Sequence, residues 1–564
     1  KMFTRDRIAS FDTETQEGNI QTLHFCSLGK TEEEDKTSTI DFRTNPRDFS
    51  FVEMIAHLVE NYSYESRSKH RKYWTFPVFF AWNLQYDLGV MCKTLPPETL
   101  MRFAEKATHV IDLNTGLIED NVIKRKGVFM RNDGRNLPPN RFAEVFLILK
   151  KTMRIRPIDW NIENHRVSKI QFYDISQFYR ERKLETAAQV YLSEGKDPLD
   201  TTIMGVGGEE SDKYWEDNWE DIVTYGEKDT LLTARLAWIR LNEYQEAGIS
   251  PHNPLSKASI ARNNLFRLCS DSGIEFPDLN DYMSNPVSRC VVDAASNAYH
   301  GGWFSTTGSG FCSDVIGLDL VSAYPHVMWF LPNTSQLVWA TDRTVGIEGI
   351  ENYLENHVEY WPAFIYAKIK FVEDTPFYPL SVWNPDYGTC QNPRILRRWF
   401  TADEIIEARQ WNCQIEIIHG CYSSVPESKM VEDIEGGIDY PFRKAIDLFY
   451  GQKDMIDKIP KNERTETHKS TREVMKTMIN SIYGLNLSTI MEEGVEKTGS
   501  MWNPIYASII TSGTRCRIAE AMRLNNHSIL SVATDGIILP KSGYAVLPSN
   551  RLPVKDWTLG NWEE

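Results

Sequence analysis

The order of apolar and polar positions predicts several elements directly. Val315-Ile-Gly-Leu-Asp319-Leu-Val-Ser322-Ala-Tyr324-Pro325 is apolar up to one acid and then meets a proline. That pattern predicts a buried strand carrying Asp319 to a sheet edge. Ser528-Ile-Leu-Ser-Val-Ala-Thr-Asp535-Gly536-Ile-Ile-Leu is a second apolar run, with its only acid in an Asp-Gly pair that signals a hairpin. The stretch Tyr360 to Phe371 partly alternates, as a strand does. At the other end, Ile8-Ala-Ser-Phe-Asp12-Thr-Glu14-Thr15 sets two acids at i and i+2, on one face of a strand. Val78-Phe-Phe-Ala-Trp82 predicts a strand leading into Asn83-Leu-Gln-Tyr86-Asp87, and Tyr225-Gly-Glu-Lys-Asp229 opens a helical pattern with Tyr225 and Asp229 on one face. In Lys476-Thr-Met-Ile-Asn480-Ser481-Ile-Tyr483-Gly484 the helical period puts Lys476, Asn480 and Tyr483 on one side, and Gly484 is expected to end the helix.

These elements bring together residues with complementary chemistry. A cation, an amide and an aromatic ring on one helical face suit a nucleoside triphosphate. Two carboxylates on neighbouring strands can hold divalent cations ~3.5–4 Å apart, the arrangement that supports in-line phosphoryl displacement. Like charges at i and i+2 are costly unless a cation neutralises them, which favours a metal at Asp12 and Glu14. Taken singly, each acid reads as well as a turn residue or a solvated strand face. The combination, in one order along one chain, carries the functional reading.

Together the segments resemble the motifs of family B DNA polymerases. Asp319 to Pro325 is similar to D-x-x-S-L-Y-P, with Ala323 in the leucine place, and Lys476 to Gly484 matches K-x-x-x-N-S-x-Y-G throughout. Thr534-Asp535 matches the end of Y-x-D-T-D, with Ser531 and Ala533 replacing its tyrosine and first aspartate. Upstream, Asp12-Thr-Glu14, Asn83 to Asp87 and Tyr225 to Asp229 resemble the D-x-E, N-x-x-Y-D and Y-x-x-x-D motifs of the proofreading exonuclease in the same family. Tyr299-His300-Gly301-Gly302 looks like the Y-x-G-G element of the protein-primed, phage-type branch, and Thr511 to Arg515 sits where that branch contacts the DNA backbone.

The resemblance implies Asp319 and Asp535 as metal ligands of a polymerase centre. It implies Asp12, Glu14, Asp87 and Asp229 as metal ligands of an exonuclease, with Tyr225 orienting the attacking water. Nucleotide-binding roles fall to Leu320, Tyr324, Arg472, Lys476, Asn480 and Tyr483. Contacts to DNA fall to Thr15, Asn83, Tyr86, Tyr299, Gly301, Gly302, Ser322, Thr511, Arg515 and Thr534. The implied cofactor is Mg²⁺, two ions per site, with Mn²⁺ as an alternative. The partners are primer-template DNA and dNTPs, with a terminal protein primer or a separate thumb-bearing or processivity chain left open.

The expected architecture is an RNase H-like α/β exonuclease followed by an α+β right-hand polymerase. The boundaries are an exonuclease over 1–240, a helical connector over 241–295, a palm over 296–434 with an insertion, fingers over 435–490 and a second palm segment over 491–564. Only 29 residues follow Asp535, so the thumb is expected to be missing from this chain.

Composition changes the picture little. A length of 564 residues with 41% apolar residues suffices for more than one core. Nine scattered cysteines without C-x-x-C argue against a zinc finger or disulfide framework, and no apolar stretch approaches a membrane span, so a cytoplasmic location is expected, that of a bacterial host for a phage enzyme. The net charge of −16 runs against a generally basic nucleic-acid binder, but Arg443 to Lys476 holds nine basic against six acidic residues. One rival reading follows from Ala533 and the missing thumb, an exonuclease with a degenerate polymerase module; a second, a nucleic-acid-binding subunit silent at both centres, is opposed by the intact carboxylates.

Overall fold

The computed structural model describes residues 3–43, 49–68, 71–125, 128–148, 151–196, 198–278, 286–306, 310–375, 378–384, 386, 388–429, 437–492, 495–525, 528–541 and 546–564. The chain forms two compact units. One comprises Lys1–Ile260, Ile459–Val474 and Met491–Lys497, and the other Ala261–Lys458, Met475–Ile490 and Thr498–Glu564.

The first unit is built on an eight-stranded mixed sheet. Its strands are β1 (Ile8–Gln16), β2 (Asn19–Ser27), β3 (Lys36–Asp41), β4 (Val78–Ala81), β5 (Thr108–Asp112), β6 (Phe142–Ile148), β7 (Thr152–Pro157) and β8 (Ile170–Asp174). They lie in the order β3-β2-β1-β4-β8-β7-β6-β5. β1 is central, antiparallel to β2 and parallel to β4, which explains why Ile8 to Phe11 and Phe79 to Ala81 are buried runs rather than alternations. Phe11, Phe25, Phe79 and Phe172 pack edge-on or tilted at 5.0–6.4 Å between centroids in the core. Two helices position chemistry over this sheet: α1 (Leu84–Cys92), entered directly from β4, and α2 (Trp219–Glu246), which packs on β1 and β2. α2 begins at Trp219, ahead of the Tyr225 pattern that announces it.

The second unit holds a five-stranded sheet of β9 (Trp303–Thr306), β10 (Val315–Leu320), β15 (Ser531–Thr534), β16 (Gly536–Pro540) and β17 (Trp562–Glu563), ordered β9-β15-β16-β10-β17. Between β10 and β15 in the chain comes a four-stranded sheet of β11 (Val338–Thr341), β12 (Ala363–Phe371), β13 (Ile395–Thr401) and β14 (Cys413–Ser424), ordered β11-β14-β12-β13. β12 is the strand expected from the Tyr360 to Phe371 alternation. One core serves both sheets: Leu318, Leu320, Ile365, Ile369, Phe400, Ile405, Ile518, Met522, Ile537 and Leu539 belong to it.

Four helices carry or brace the polar residues singled out by the sequence: α3 (Ala323–Trp329), α4 (Ala402–Arg409), α5 (Glu466–Leu485) and α6 (Pro504–Leu524). α6 is buried nearly end to end, so its hydroxyls bond inward; Thr511 Oγ1 donates to the Ala507 carbonyl one turn back. α4 starts in a capping box, Thr401 and Glu404 each bonding the other's backbone N–H.

Candidate active sites

In the first unit, β1 projects Asp12 and Glu14 from one face, and α2 brings Asp229 to them from above. One carboxylate oxygen from each of Asp12, Glu14 and Asp229 lies within 4.8 Å of the others. Burial pushes the Asp12 carboxyl up to about 7, and Asp229 adds to the shift while Lys196 opposes it. Glu14 is raised well above the carboxylate range by burial and then by Asp12 and Asp229. Three acids this close, two of which hold protons more tightly than free carboxylates, are a donor set of hard oxygens that a divalent cation would relieve.

The fourth expected ligand, Asp87, sits in the first turn of α1. It is buried and turned to Thr13, accepting from its N–H at 3.2 Å and its hydroxyl at 2.7 Å. It feels Asp12 electrostatically but lies outside the three-acid cluster. The expected strand-holding residues also gather here: the Thr15 and Tyr86 hydroxyls are 2.5 Å apart, and the Tyr86 ring is half exposed. Asn83 adopts a left-handed conformation, φ 65°, as the residue before α1 and is exposed.

Lys196 is invisible in the sequence pattern. Its ammonium pairs with Asp229 and donates to the Tyr225 hydroxyl at 2.8 Å. Burial lowers its affinity for a proton, yet Asp229 and Tyr225 more than reverse this and leave its pKa raised. It stands in a polar loop, Ser193-Glu-Gly-Lys196, with no periodicity to mark it. The signal that could have found it is charge balance, since three converging acids call for a cation.

In the second unit, β10 alternates cleanly, with Leu318 and Leu320 buried and Val315, Gly317 and Asp319 exposed. Asp535 lies in the two-residue turn Thr534-Asp535 between β15 and β16, because Ala533 pairs with Gly536. Gly536 therefore starts the returning strand instead of forming the turn, and it pairs with Asp319. A Cβ on Gly536 would collide with the Asp319 carboxylate, so the glycine is what lets the acid lie flat against β16. The Leu320 N–H donates to the Asp535 carbonyl at 2.9 Å and ties the two acid-bearing segments together. The Asp535 carboxyl is raised above its ordinary value, first by burial and then by Asp319, with Lys476 pulling it down. Gly536→Ala should consequently cost most of whatever activity depends on Asp319 while leaving the unit folded. Near-normal turnover by that variant would show that Asp319 need not occupy this position.

The turn is held under backbone constraint. Thr534 has φ 59°, unusual for a β-branched residue and worth roughly 1–3 kcal/mol of strain. Its side chain abuts Gly302, where a Cβ would come within 2.9 Å of Thr534 Cγ2. Ser322 is likewise left-handed, φ 48°, as it turns the chain from β10 into α3. On α3, the Tyr324 ring packs at 4.4 Å, tilted by 46°, against Tyr483 of α5, whose hydroxyl lies 3.1 Å from that of Tyr299. Burial, with Asp535 adding, pushes the Tyr324 phenol up to about 12. Along α5, Met475, Met478, Ile479 and Ile482 face the core, while Lys476 and Asn480 are exposed and Tyr483 is half buried. Arg472 lies one turn before Lys476 and pairs with Glu473 at 3.2 Å.

Two expectations change. Gly484 does not end the helix in a left-handed cap; α5 runs on to Leu485, and the Asn486 amide donates to the carbonyls of Ile482 and Tyr483 instead. Thr511 and Arg515 are not placed to touch a DNA backbone, because both are buried. Arg515 donates to the carbonyls of His300 and Gly301, the latter at 2.8 Å, and pairs with Glu404 at 2.9 Å. Glu404 also pairs with Arg398 at 3.1 Å. The arginine thus braces the Tyr299–Gly302 segment from behind. Gly301 and Gly302 stay on the accessible side as half-buried positions.

This brace has a pH signature. Burial raises Glu404, but Arg398 and Arg515 outweigh it and hold the carboxyl at about 2, against 4.5 unperturbed. A carboxyl lowered on folding stabilises above its unfolded pKa and loses that contribution as pH falls through the folded one. The shift corresponds to about 3 kcal/mol. Glu404→Gln should therefore melt lower than the parent at pH 7, and the gap should narrow as pH falls from 4.5 to about 2. A gap independent of pH would remove the ion pairs from the account.

No protein-family model matches the chain, and no curated protein matches it. Among solved structures, phi29 DNA polymerase complexed with primer-template DNA and incoming nucleotides aligns over 94% of this chain and 79% of its own, with TM-score 0.53 and 14% identity. The same polymerase with primer-template DNA aligns over 98% of this chain and 83% of its own, TM-score 0.52, and with single-stranded DNA over 99% and 84%, TM-score 0.51, each at 14% identity. The chain shares its fold with phi29 DNA polymerase, a protein-primed family B enzyme. Both units of the chain are built on mixed α/β architecture. Among the described residues no helix is long and apolar enough to cross a membrane.

Proposed function

We propose that the chain is a DNA-directed DNA polymerase whose first unit is a 3′–5′ exonuclease. The observation that carries this reading is the presence of two separate acidic centres, one in each unit, on the fold of a DNA polymerase. Asp319 and Asp535 would hold Mg²⁺, and Asp12, Glu14 and Asp229, backed by Asp87, would hold a second set. The bound ions would supply the charge neutralisation and nucleophile activation that phosphoryl transfer needs.

The protein's own groups do the rest. Lys476 and Asn480 project from the open face of α5 toward a triphosphate, with Arg472 a turn earlier. Tyr324, fixed by its tilted contact with Tyr483, lies under the sugar and excludes a 2′-hydroxyl. Tyr299, Gly301 and Gly302 present backbone and hydroxyl to the primer-template, held by Arg515. In the first unit Tyr225, fixed by Lys196, orients the attacking water, while Thr15, Asn83 and Tyr86 hold a frayed 3′ end. Primer extension with dNTPs tests the reading. Trimming of 3′ ends without any incorporation would favour the exonuclease with a degenerate polymerase module, and the absence of both would favour a silent DNA-binding subunit.

A further inference from the structure

One exposed ring on the five-stranded sheet takes no part in the chemistry of either centre. Phe304 is 68% exposed, although its neighbour Trp303 is buried. Its place in the sheet is fixed by register: Phe304 pairs with Ala533, Ala533 with Gly536, and Gly536 with Asp319. Directly paired residues point to the same side, so Phe304 shares the face that displays Asp319. Ala533 and Gly536 have no side chain long enough to cover the ring. The next row, Thr306, Ser531, Ile538 and Gly317, is again small or apolar, with Ile538 41% exposed. The first row ends beyond Asp319 at Glu563 of β17, so its charged members are both acids, and neither row contains a cation.

We propose that Phe304 is a primer-strand contact, its ring packing on a deoxyribose near the 3′ end. The inference rests on the polymerase reading of this unit. If the 3′-hydroxyl is held at Asp319 and Asp535, the strand behind it has to run across this face. Phe304 lies three strand spacings from Asp319, about 14 Å. At about 3.4 Å per base pair that distance reaches about four nucleotides from the primer end. A surface without cations is unsuited to phosphates, whereas the C–H faces of sugars in the minor groove are apolar enough to pack on a phenyl ring. A lone exposed phenylalanine is ordinary on a protein surface; an uncovered one in the same row as a catalytic acid is not. Phe304 is a positioning residue, since it touches the primer strand and no reacting atom.

The test uses the whole chain and fluorescence anisotropy of labelled primer-template duplex without divalent metal. Phe304→Ala should raise Kd for the duplex about tenfold, Phe304→Leu should restore most of the affinity, and KM for dNTP should stay within about twofold of the parent. Primers with a single 2′-O-methyl group at each of the last six positions map the contact. The parent should lose affinity at one or two of these positions, and Phe304→Ala should show a flat profile. An unchanged Kd, or the same positional profile in both proteins, would overturn the proposal and leave the ring to a protein partner. Duplex binding without nucleotide incorporation would remove the polymerase reading alone, because the 2′-O-methyl profile still reports on Phe304.

Discussion

Alanine in place of Asp535 is expected to lower deoxynucleotide incorporation by about 10³-fold or more while the protein stays folded. The catalytic loss follows from position. Asp535 occupies a two-residue turn whose carbonyl accepts from Leu320, so its carboxylate is held beside that of Asp319 by backbone geometry, and no neighbouring acid in the turn can substitute for it. The retention of fold follows from electrostatics. Burial and Asp319 raise the Asp535 carboxyl above its ordinary value. An acid whose pKa rises on folding weakens the folded state once pH exceeds the unfolded value, so its removal should leave the melting temperature equal or higher at neutral pH. Asp319→Ala should lose incorporation to a similar extent, and Asp535→Asn should separate charge from size by restoring the shape without the activity. Extension by Asp535→Ala at near the parental rate would move the polymerase centre elsewhere.

How much of the molecule is legible in the chain depends on how local each feature is. β10, the β15–β16 hairpin and the face of α5 can be read because each is set by a short run of alternation or by a helical period. The acids can be read because they terminate apolar runs, where a charge is conspicuous. Gly484 misleads because a glycine near a helix end usually caps it, and the pattern cannot show that Asn486 takes the carbonyls instead. Arg515 misleads for a similar reason: a cation inside a contact motif says nothing about Glu404 or the carbonyls of His300 and Gly301, which are remote in sequence. The Thr401 to Glu404 capping box is legible as a helix start, but its second use as the arginine's partner depends on tertiary contact. Lys196 and Phe304 carry no local signal at all. Their meaning comes from what the fold sets beside them, three acids in one case and a register of small residues in the other.

The two centres should also come apart under mutation. Asp12→Ala combined with Glu14→Ala is expected to reduce 3′-end trimming by about 10³-fold or more while primer extension stays within about twofold. Both acids belong to the first unit and project from β1, whereas Asp319 and Asp535 belong to the second. Removing them deletes two of three clustered ligands and leaves only Asp229 of the cluster, already paired with Lys196. The protein without metal should become slightly more stable at about pH 8, because Asp12 is held at about 7 by burial and by Asp229, so ionising it in the folded state is unfavourable. With Mg²⁺ present the order should reverse: the parent gains melting temperature from binding at the cluster and the double variant does not. Three readouts are thereby tied to one pair of carboxylates, namely trimming, metal-free stability and the metal-induced shift. If trimming and extension fell together, one shared centre would serve both reactions, and the assignment of separate acids to each unit would have to be given up.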